Sequence, residues 1–153
     1  MMTIRIIAVG KIKETYLQEG IQDFQKRINK YAKLEIIEVK DSASDDEKKA
    51  KKEEAERIEG SLKNGYNIIL AIEGETLSSP KLSAKIDEIA TYHNPVINFI
   101  IGGSHGLCQT IIDKANYSLS FSRLTFPHQL MRLLLLEQLF RAFKILSNEV
   151  YHK

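Results

Sequence analysis

Cysteine is nearly absent from this chain. Cys108 stands alone among 153 residues, so no intrachain disulfide framework and no cysteine-based zinc site can form. The composition therefore points to a reducing, cytoplasmic compartment. Proline occurs three times, at positions 80, 95 and 127, and each falls where a helix or strand should begin or end. No apolar run approaches the roughly 20 residues that a membrane span requires, so no membrane partner is expected. The opening MMTIRIIAVG is too short, and its apolar run too early, to read as a signal peptide. No internal repeat, low-complexity tract or linker interrupts the chain. No cluster of His, Asp and Glu suggests a metal, and none is expected.

What is present is the balance of a soluble globular protein, with 43% hydrophobic and 27% charged residues. At 17.5 kDa the expected organisation is one domain spanning residues 1–153. The net charge of +2 conceals a pattern. Residues 1–40 carry +3, residues 41–59 carry −3, residues 60–122 carry −1 and residues 123–153 carry +3. Two basic ends around an acidic middle give a basic surface if the ends meet, and an ordinary mixed surface if they do not.

Periodicity gives the element order. Residues 3–9, 34–39, 66–72, 96–101 and 117–121 read as strands, several of them solid apolar runs of the kind buried on both faces. Tyr16, Leu17, Ile21, Phe24 and Ile28 fall at helical spacing within residues 14–31. Residues 46–62 read as a mostly solvated charged helix, and a third helix runs from Pro80 to about Tyr92. A short helix is expected near 108–114 and a long one from about Pro127 to Leu146. Gly10, Gly74 and the glycines after Ile101 are read as strand stops. Strict alternation of strand and helix argues for an α/β fold on a mainly parallel sheet with helices on both faces. Ligands of such sheets bind beyond the C-terminal ends of the strands.

Three of the segments placed there carry candidate chemistry. Ile72-Glu73-Gly74-Glu75 is a weak signal that a plain turn also explains. Ile101-Gly-Gly-Ser-His-Gly106 puts three glycines in five positions at a strand-to-helix junction, exposing backbone N–H groups. Its spacing is neither that of a dinucleotide fingerprint nor that of a Walker loop, and residues 114–136 hold no acid to grip a ribose. A structural turn and a ligand loop remain open on this segment alone. Ser122 to Arg132 offers hydroxyls at Ser122 and Thr125, apolar walls at Leu124 and Phe126, and the polar His128 and Arg132.

The long helix is apolar at twelve of the seventeen positions 130–146. A helix apolar nearly all round must be covered nearly all round, which argues for a homodimer; a central place in a monomer is the alternative. Glu137 and Arg141, four apart, can pair on one face. The tail Tyr151-His152-Lys153 would ordinarily fray, although an aromatic beside a titratable ring suits a nucleobase.

Taken together, IIGGSHG, SLSFSRLTFPHQLMRLLLLEQLFRAF, the terminal YHK, the N-terminal IRIIAVGK and the LAIEGE strand exit resemble the RlmH (YbeA-like) family of SPOUT methyltransferases over the whole chain. The resemblance implies a C-terminal trefoil knot, a homodimer and the cofactor S-adenosyl-L-methionine. It further implies methylation of N3 of a pseudouridine in helix 69 of 23S rRNA, within the assembled ribosome. Carried over residue by residue, the cofactor site comprises Leu70, Gly103, Ser122, Arg123, Leu124, Thr125, Phe126 and Pro127. Substrate handling falls to His128, Arg141, Tyr151 and His152.

The implied chemistry makes physical demands. A uracil-type N3 is protonated at neutral pH, so its proton must be removed or the resulting anion stabilised. His128 and His152 are the titratable candidates near the motifs, Arg141 can steady negative charge on a carbonyl oxygen, and Tyr151 can stack on the base. A side chain at Gly103 is expected to fill space that the cofactor needs. Two rival readings remain: a related methyltransferase acting on another RNA, and a ribosome-binding assembly factor without catalysis.

Overall fold

The computed structural model describes residues 1–153. Strands β1 (Thr3–Val9), β2 (Lys33–Val39), β3 (Tyr66–Thr76), β4 (Val96–Ile101) and β5 (Tyr117–Ser120) alternate with helices α1 (Thr15–Ile28), α2 (Glu47–Leu62), α3 (Ser79–Tyr92), α4 (Gln109–Asp113) and α5 (His128–Leu146). All strand pairings are parallel, in the order β2-β1-β4-β3-β5. This is the expected α/β architecture, and it gathers every strand's C-terminal end at one edge.

Strand alternation sends side chains to two separate cores. Ile4, Ile6, Ile68, Ile97 and Phe99 meet α1, α3 and α5, while Ile7, Val9, Ile69 and Ile100 meet α2 and α4. β1 and β4 are thus buried on both faces, as their largely apolar sequences indicated, with Arg5 and Asn98 the polar exceptions. Local chemistry fixes the helix starts. The Asp46 carboxylate accepts the Lys48 N–H at 3.0 Å, and the Ser78 hydroxyl accepts the Lys81 N–H at 3.3 Å, with Pro80 in the first turn of α3.

One polar row crosses the sheet at the edge opposite the strand C-termini. Arg5 of β1 donates to Glu35 of β2 at 3.1 Å and to Asn98 of β4 at 3.0 Å. Asn98 in turn donates to Asn67 of β3 at 2.9 Å and to the Leu62 carbonyl at 2.7 Å. These residues sit directly opposite one another in the strand register, and a one-residue slip would strand buried polar groups. The row therefore locks the register that fixes the loops at the other edge.

Four expectations change. Gly74 does not end β3; the strand kinks between Leu70 and Glu75 and resumes pairing with β5 as far as Thr76. A Cβ at Gly74 would lie 2.7 Å from the Ser118 carbonyl carbon and oxygen, so the glycine permits close strand approach. α2 is not merely a solvated helix, because Ala55, Ile58 and Leu62 close the second core and Ala50 is buried as well. α5 gains its cover within the chain: it lies between α1 and α3, with Leu135, Leu136, Leu139, Phe140 and Phe143 buried. Its apolar character alone therefore does not demand a second subunit. Finally, the tail does not fray; Tyr151 is half-buried against Phe140. No helix is long and apolar enough to cross a membrane.

Candidate functional site

The bend within β3 and the loops leaving β4 and β5 converge on one cleft of about 550 Å³, a size suited to a small-molecule ligand. Seven of the eight expected cofactor residues line it: Leu70, Gly103, Ser122, Leu124, Thr125, Phe126 and Pro127. Arg123 does not; it lines a neighbouring groove with Glu73, Gly74 and Thr76. His128 lines the cleft from the first turn of α5. Backbone geometry shapes each wall. Gly106 takes a φ of +84°, which glycine adopts without strain, and its N–H bonds back to the Gly103 carbonyl at 3.0 Å. The Ser122 hydroxyl accepts the Leu124 N–H at 3.0 Å, and the Ser120 hydroxyl donates to the Ser122 carbonyl at 3.0 Å, curling this segment into the cleft.

Gly103 plays a different part from the one its sequence context suggested. A Cβ there would point to Val9 Cγ1 at 3.0 Å and to Glu54 Oε1 at 3.2 Å, and neither residue lines the cleft. The glycine lets the loop lie down on β1 and α2 rather than leaving room for a ligand. Gly103→Val is therefore expected to lift the loop and weaken binding of S-adenosylmethionine by roughly tenfold or more, in line with overpacking penalties. Trimming Glu54→Ala beneath it should recover part of the loss in calorimetry; a valine that simply filled the cleft would allow no such recovery.

Several lining residues were not among the expected site residues. Lys51 reaches the cleft from α2, where one charged residue among many looked solvated. Glu73, His105, Phe121 and Met131 also face it. His105 belongs to the glycine loop that was singled out, so its position there was the available clue. Arg132 was visible only as a polar residue on a greasy helix. The structure buries it to 1% exposure, where its guanidinium donates to the Gly10 carbonyl at 3.1 Å and pairs with Glu38. Arg132 thus ties the start of α5, and with it His128, to the C-terminal ends of β1 and β2. Gln129 adds a second tie by accepting the Lys13 N–H at 3.0 Å.

Arg141, Tyr151 and His152 form a second cluster, built around Glu137. The Glu137 carboxylate accepts from Arg141 at 2.9 Å, from the Tyr151 hydroxyl at 3.0 Å and from Gln138 at 2.8 Å. Arg141 lies over the Tyr151 ring at 4.8 Å, and that ring meets Phe140 edge-on at 4.9 Å. Burial, helped by the bond to Glu137, holds the Tyr151 phenol above its ordinary pKa, so it remains a hydrogen-bond donor at neutral pH. An Arg141 Nη and His152 Nδ1 are 3.1 Å apart. A guanidinium can only donate, so Nδ1 accepts and the ring's proton sits on Nε2. In this arrangement His152 offers an N–H rather than a basic lone pair.

The four expected substrate-handling residues are therefore not brought together within one chain. His128 and Arg141 are thirteen residues apart on one helix. At the α-helical rise their backbones are about 20 Å apart, and none of Arg141, Tyr151 and His152 lines the cleft.

A family model described as "Predicted SPOUT methyltransferase" matches residues 2–152. The chain is 48% identical to the Ribosomal RNA large subunit methyltransferase H of Clostridioides difficile (strain 630), with 99% of this chain and 100% of that protein covered. It is 47% identical to the protein of the same name from Acetivibrio thermocellus, with the same coverage. The Bacillus pumilus (strain SAFR-032) protein of that name is 48% identical, again over 99% and 100%. Among solved structures, a probable methylase family protein from Haemophilus influenzae Rd KW20 superposes with a TM-score of 0.58 at 15% identity, covering 98% of this chain and 70% of that one. That last likeness is one of fold.

Proposed function

Because the chain belongs to the SPOUT methyltransferase family and is a methyltransferase, we propose that it methylates the ribosomal RNA of the large subunit with S-adenosyl-L-methionine as donor. More specifically, the proposed acceptor is N3 of a pseudouridine in helix 69 of 23S rRNA, on the assembled ribosome. The single domain of residues 1–153, its C-terminal trefoil knot and a cytoplasmic location belong to the same reading. The observation that carries it is the convergence of residues 70–73, 101–107 and 121–128 on one apolar-walled cleft.

The residues present fit the cofactor. Apolar walls at Leu70, Leu124 and Phe126 suit an adenine face, and the main-chain groups of the glycine loop and of residues 122–127 suit its polar edge. The bound cofactor supplies an electrophilic methyl on a sulfonium, and a positioned nucleophile suffices for in-line transfer. Lys51 and Glu73 give the cleft one charge of each sign, matching a zwitterionic amino-acid moiety.

The base is handled by the tail cluster in this reading. Arg141 and the His152 Nε2–H are two donors for the carbonyl oxygen that gains charge as N3 loses its proton. Tyr151 gives a stacking face, and His128 is the titratable group placed at the cleft. Since Arg141, Tyr151 and His152 do not line their own chain's cleft, the functional unit in this reading is a homodimer in which each tail serves the partner's cleft. In this reading the partner subunit and the ribosome also contribute to the RNA-binding surface.

Calorimetry with S-adenosylmethionine tests the enzyme reading against that of an assembly factor: heat of binding is expected, and a folded dimer giving none would reject it. Mass mapping of rRNA and tRNA from a strain lacking the gene tests the acceptor. The helix 69 pseudouridine is expected to lose its methyl group; a methyl that persists there, with one missing from another RNA, would transfer the assignment to that RNA.

A further inference from the structure

The tail that carries Tyr151 and His152 is held by groups that have no part in either cluster described above. α5 ends in a Schellman motif. Asn148 adopts a φ of 54°, the Asn148 N–H bonds to the Ile145 carbonyl at 3.1 Å, and the Glu149 N–H bonds to the Lys144 carbonyl at 2.9 Å. This turn sends the chain back along its own helix. The Glu149 side chain is then gripped twice, by the Tyr31 hydroxyl at 2.8 Å and the Lys144 ammonium at 2.9 Å. Tyr31 is itself fixed, because its ring stacks on Phe143 with centroids 5.8 Å apart and planes 1° from parallel. Its place in the chain is the short link between α1 and β2.

Two residues beyond Glu149, Tyr151 arrives against Phe140 with its hydroxyl on Glu137. A chain end of three residues, of which only Tyr151 is half-buried, loses freedom by keeping this position, and local hydrogen bonds to a charged group help offset that loss. Glu149 is charged at neutral pH, its carboxyl held below the usual range by Lys144 first and Tyr31 next, so both grips operate there.

We propose that Tyr31, Lys144 and Glu149 form a latch of positioning residues that sets the tail, and through it Tyr151 and His152, for methyl transfer. The inference rests on the reading that these two tail residues act on the substrate. The latch contacts neither the cleft nor the RNA base. It lowers the freedom of the tail before the base arrives, so that alignment is not completed at the moment of reaction.

The test uses the full-length protein, radiolabelled S-adenosylmethionine and ribosomes from a strain lacking the gene. Tyr31→Phe keeps the stacked ring and removes only the hydroxyl; Glu149→Gln removes the charge. Each is expected to lower kcat by about threefold, the modest effect of losing a solvent-exposed hydrogen bond to a charged group. Cofactor affinity and stoichiometry in calorimetry should stay at wild-type values, which a general loss of folded protein would not allow. The double variant should be little worse than either single one, and Lys144→Arg should retain activity that Lys144→Met loses. Wild-type turnover in Tyr31→Phe and Glu149→Gln, with His152→Ala impaired, would overturn the latch. Wild-type turnover in His152→Ala and Tyr151→Phe as well would overturn the tail reading itself, and the latch with it.

Discussion

Arg132→Ala is expected to lower stability by about 3 kcal/mol, the lower end of what breaking a buried ion pair costs, and the melting temperature by about 10 °C. Arg132 is 1% exposed while its partner Glu38 remains partly in water, which is why the lower end applies. The substitution removes two contacts at once: the ion pair to β2 and the hydrogen bond to the Gly10 carbonyl. It also leaves a cavity where the longest buried side chain stood. Thermal unfolding with and without S-adenosylmethionine measures both consequences. Because Arg132 anchors the turn of α5 that presents His128 and follows Pro127, cofactor affinity should fall along with stability. Arg132→Met, which restores volume without charge, should recover part of the stability and little of the affinity. A variant that melts near the wild-type temperature would show that hydration of Glu38 and Gly10 replaces the buried guanidinium.

Arg141→Ala is expected to reduce methyl transfer by about 100-fold, as removal of one donor to a developing oxyanion does. Its cofactor affinity should remain within twofold of wild type, because Arg141 is about 20 Å along α5 from the cleft-lining His128. The loss should reside in kcat measured on ribosomes. Arg141→Lys should restore little, since one ammonium cannot hold Glu137, the Tyr151 face and His152 Nδ1 together as the planar guanidinium does. Mixed dimers carry the sharper consequence. If each tail serves the partner's cleft, pairing Arg141→Ala chains with cleft-defective Gly103→Val chains should restore one working site per heterodimer, and activity should exceed that of either variant alone. Absence of any recovery on mixing would reject the exchange of tails.

Much of this molecule was legible from the order of its residues. The apolar run Val96–Ile101 announced a strand buried on both faces, whereas Tyr66–Ile72 is buried only at Ile68 and Ile69; alternation with helices announced a parallel sheet. The topological rule that ligands sit beyond strand C-termini then selected residues 102–106 and 122–128, which do form the cleft, but also 10–13, which do not line it, and 73–78, of which only Glu73 does. Those readings succeed because side-chain periodicity and backbone pairing are local properties, written in spacings of two to four residues.

Other features depended on which surfaces meet. Lys51 looks like any solvated lysine until α2 lies against the sheet and directs it to the cleft. Gly103 looks like ligand space until Val9 and Glu54 appear beneath it. Gly74 reads as a stop, yet the approach of Ser118 makes it the point where β3 bends and continues. The apolar circumference of α5 reads as a demand for another subunit, but α1 and α3 meet most of it within the chain. Arg141, Tyr151 and His152 look like partners of His128 in one motif; helix length separates them, and a Schellman turn with a latched carboxylate holds the tail where it is. The elements, their alternation and two of the loops that carry chemistry follow from spacings of a few residues, and so are readable along the chain. What each side chain touches is settled by packing, because contacts between Arg132 and Gly10, or Tyr31 and Glu149, join residues more than a hundred positions apart.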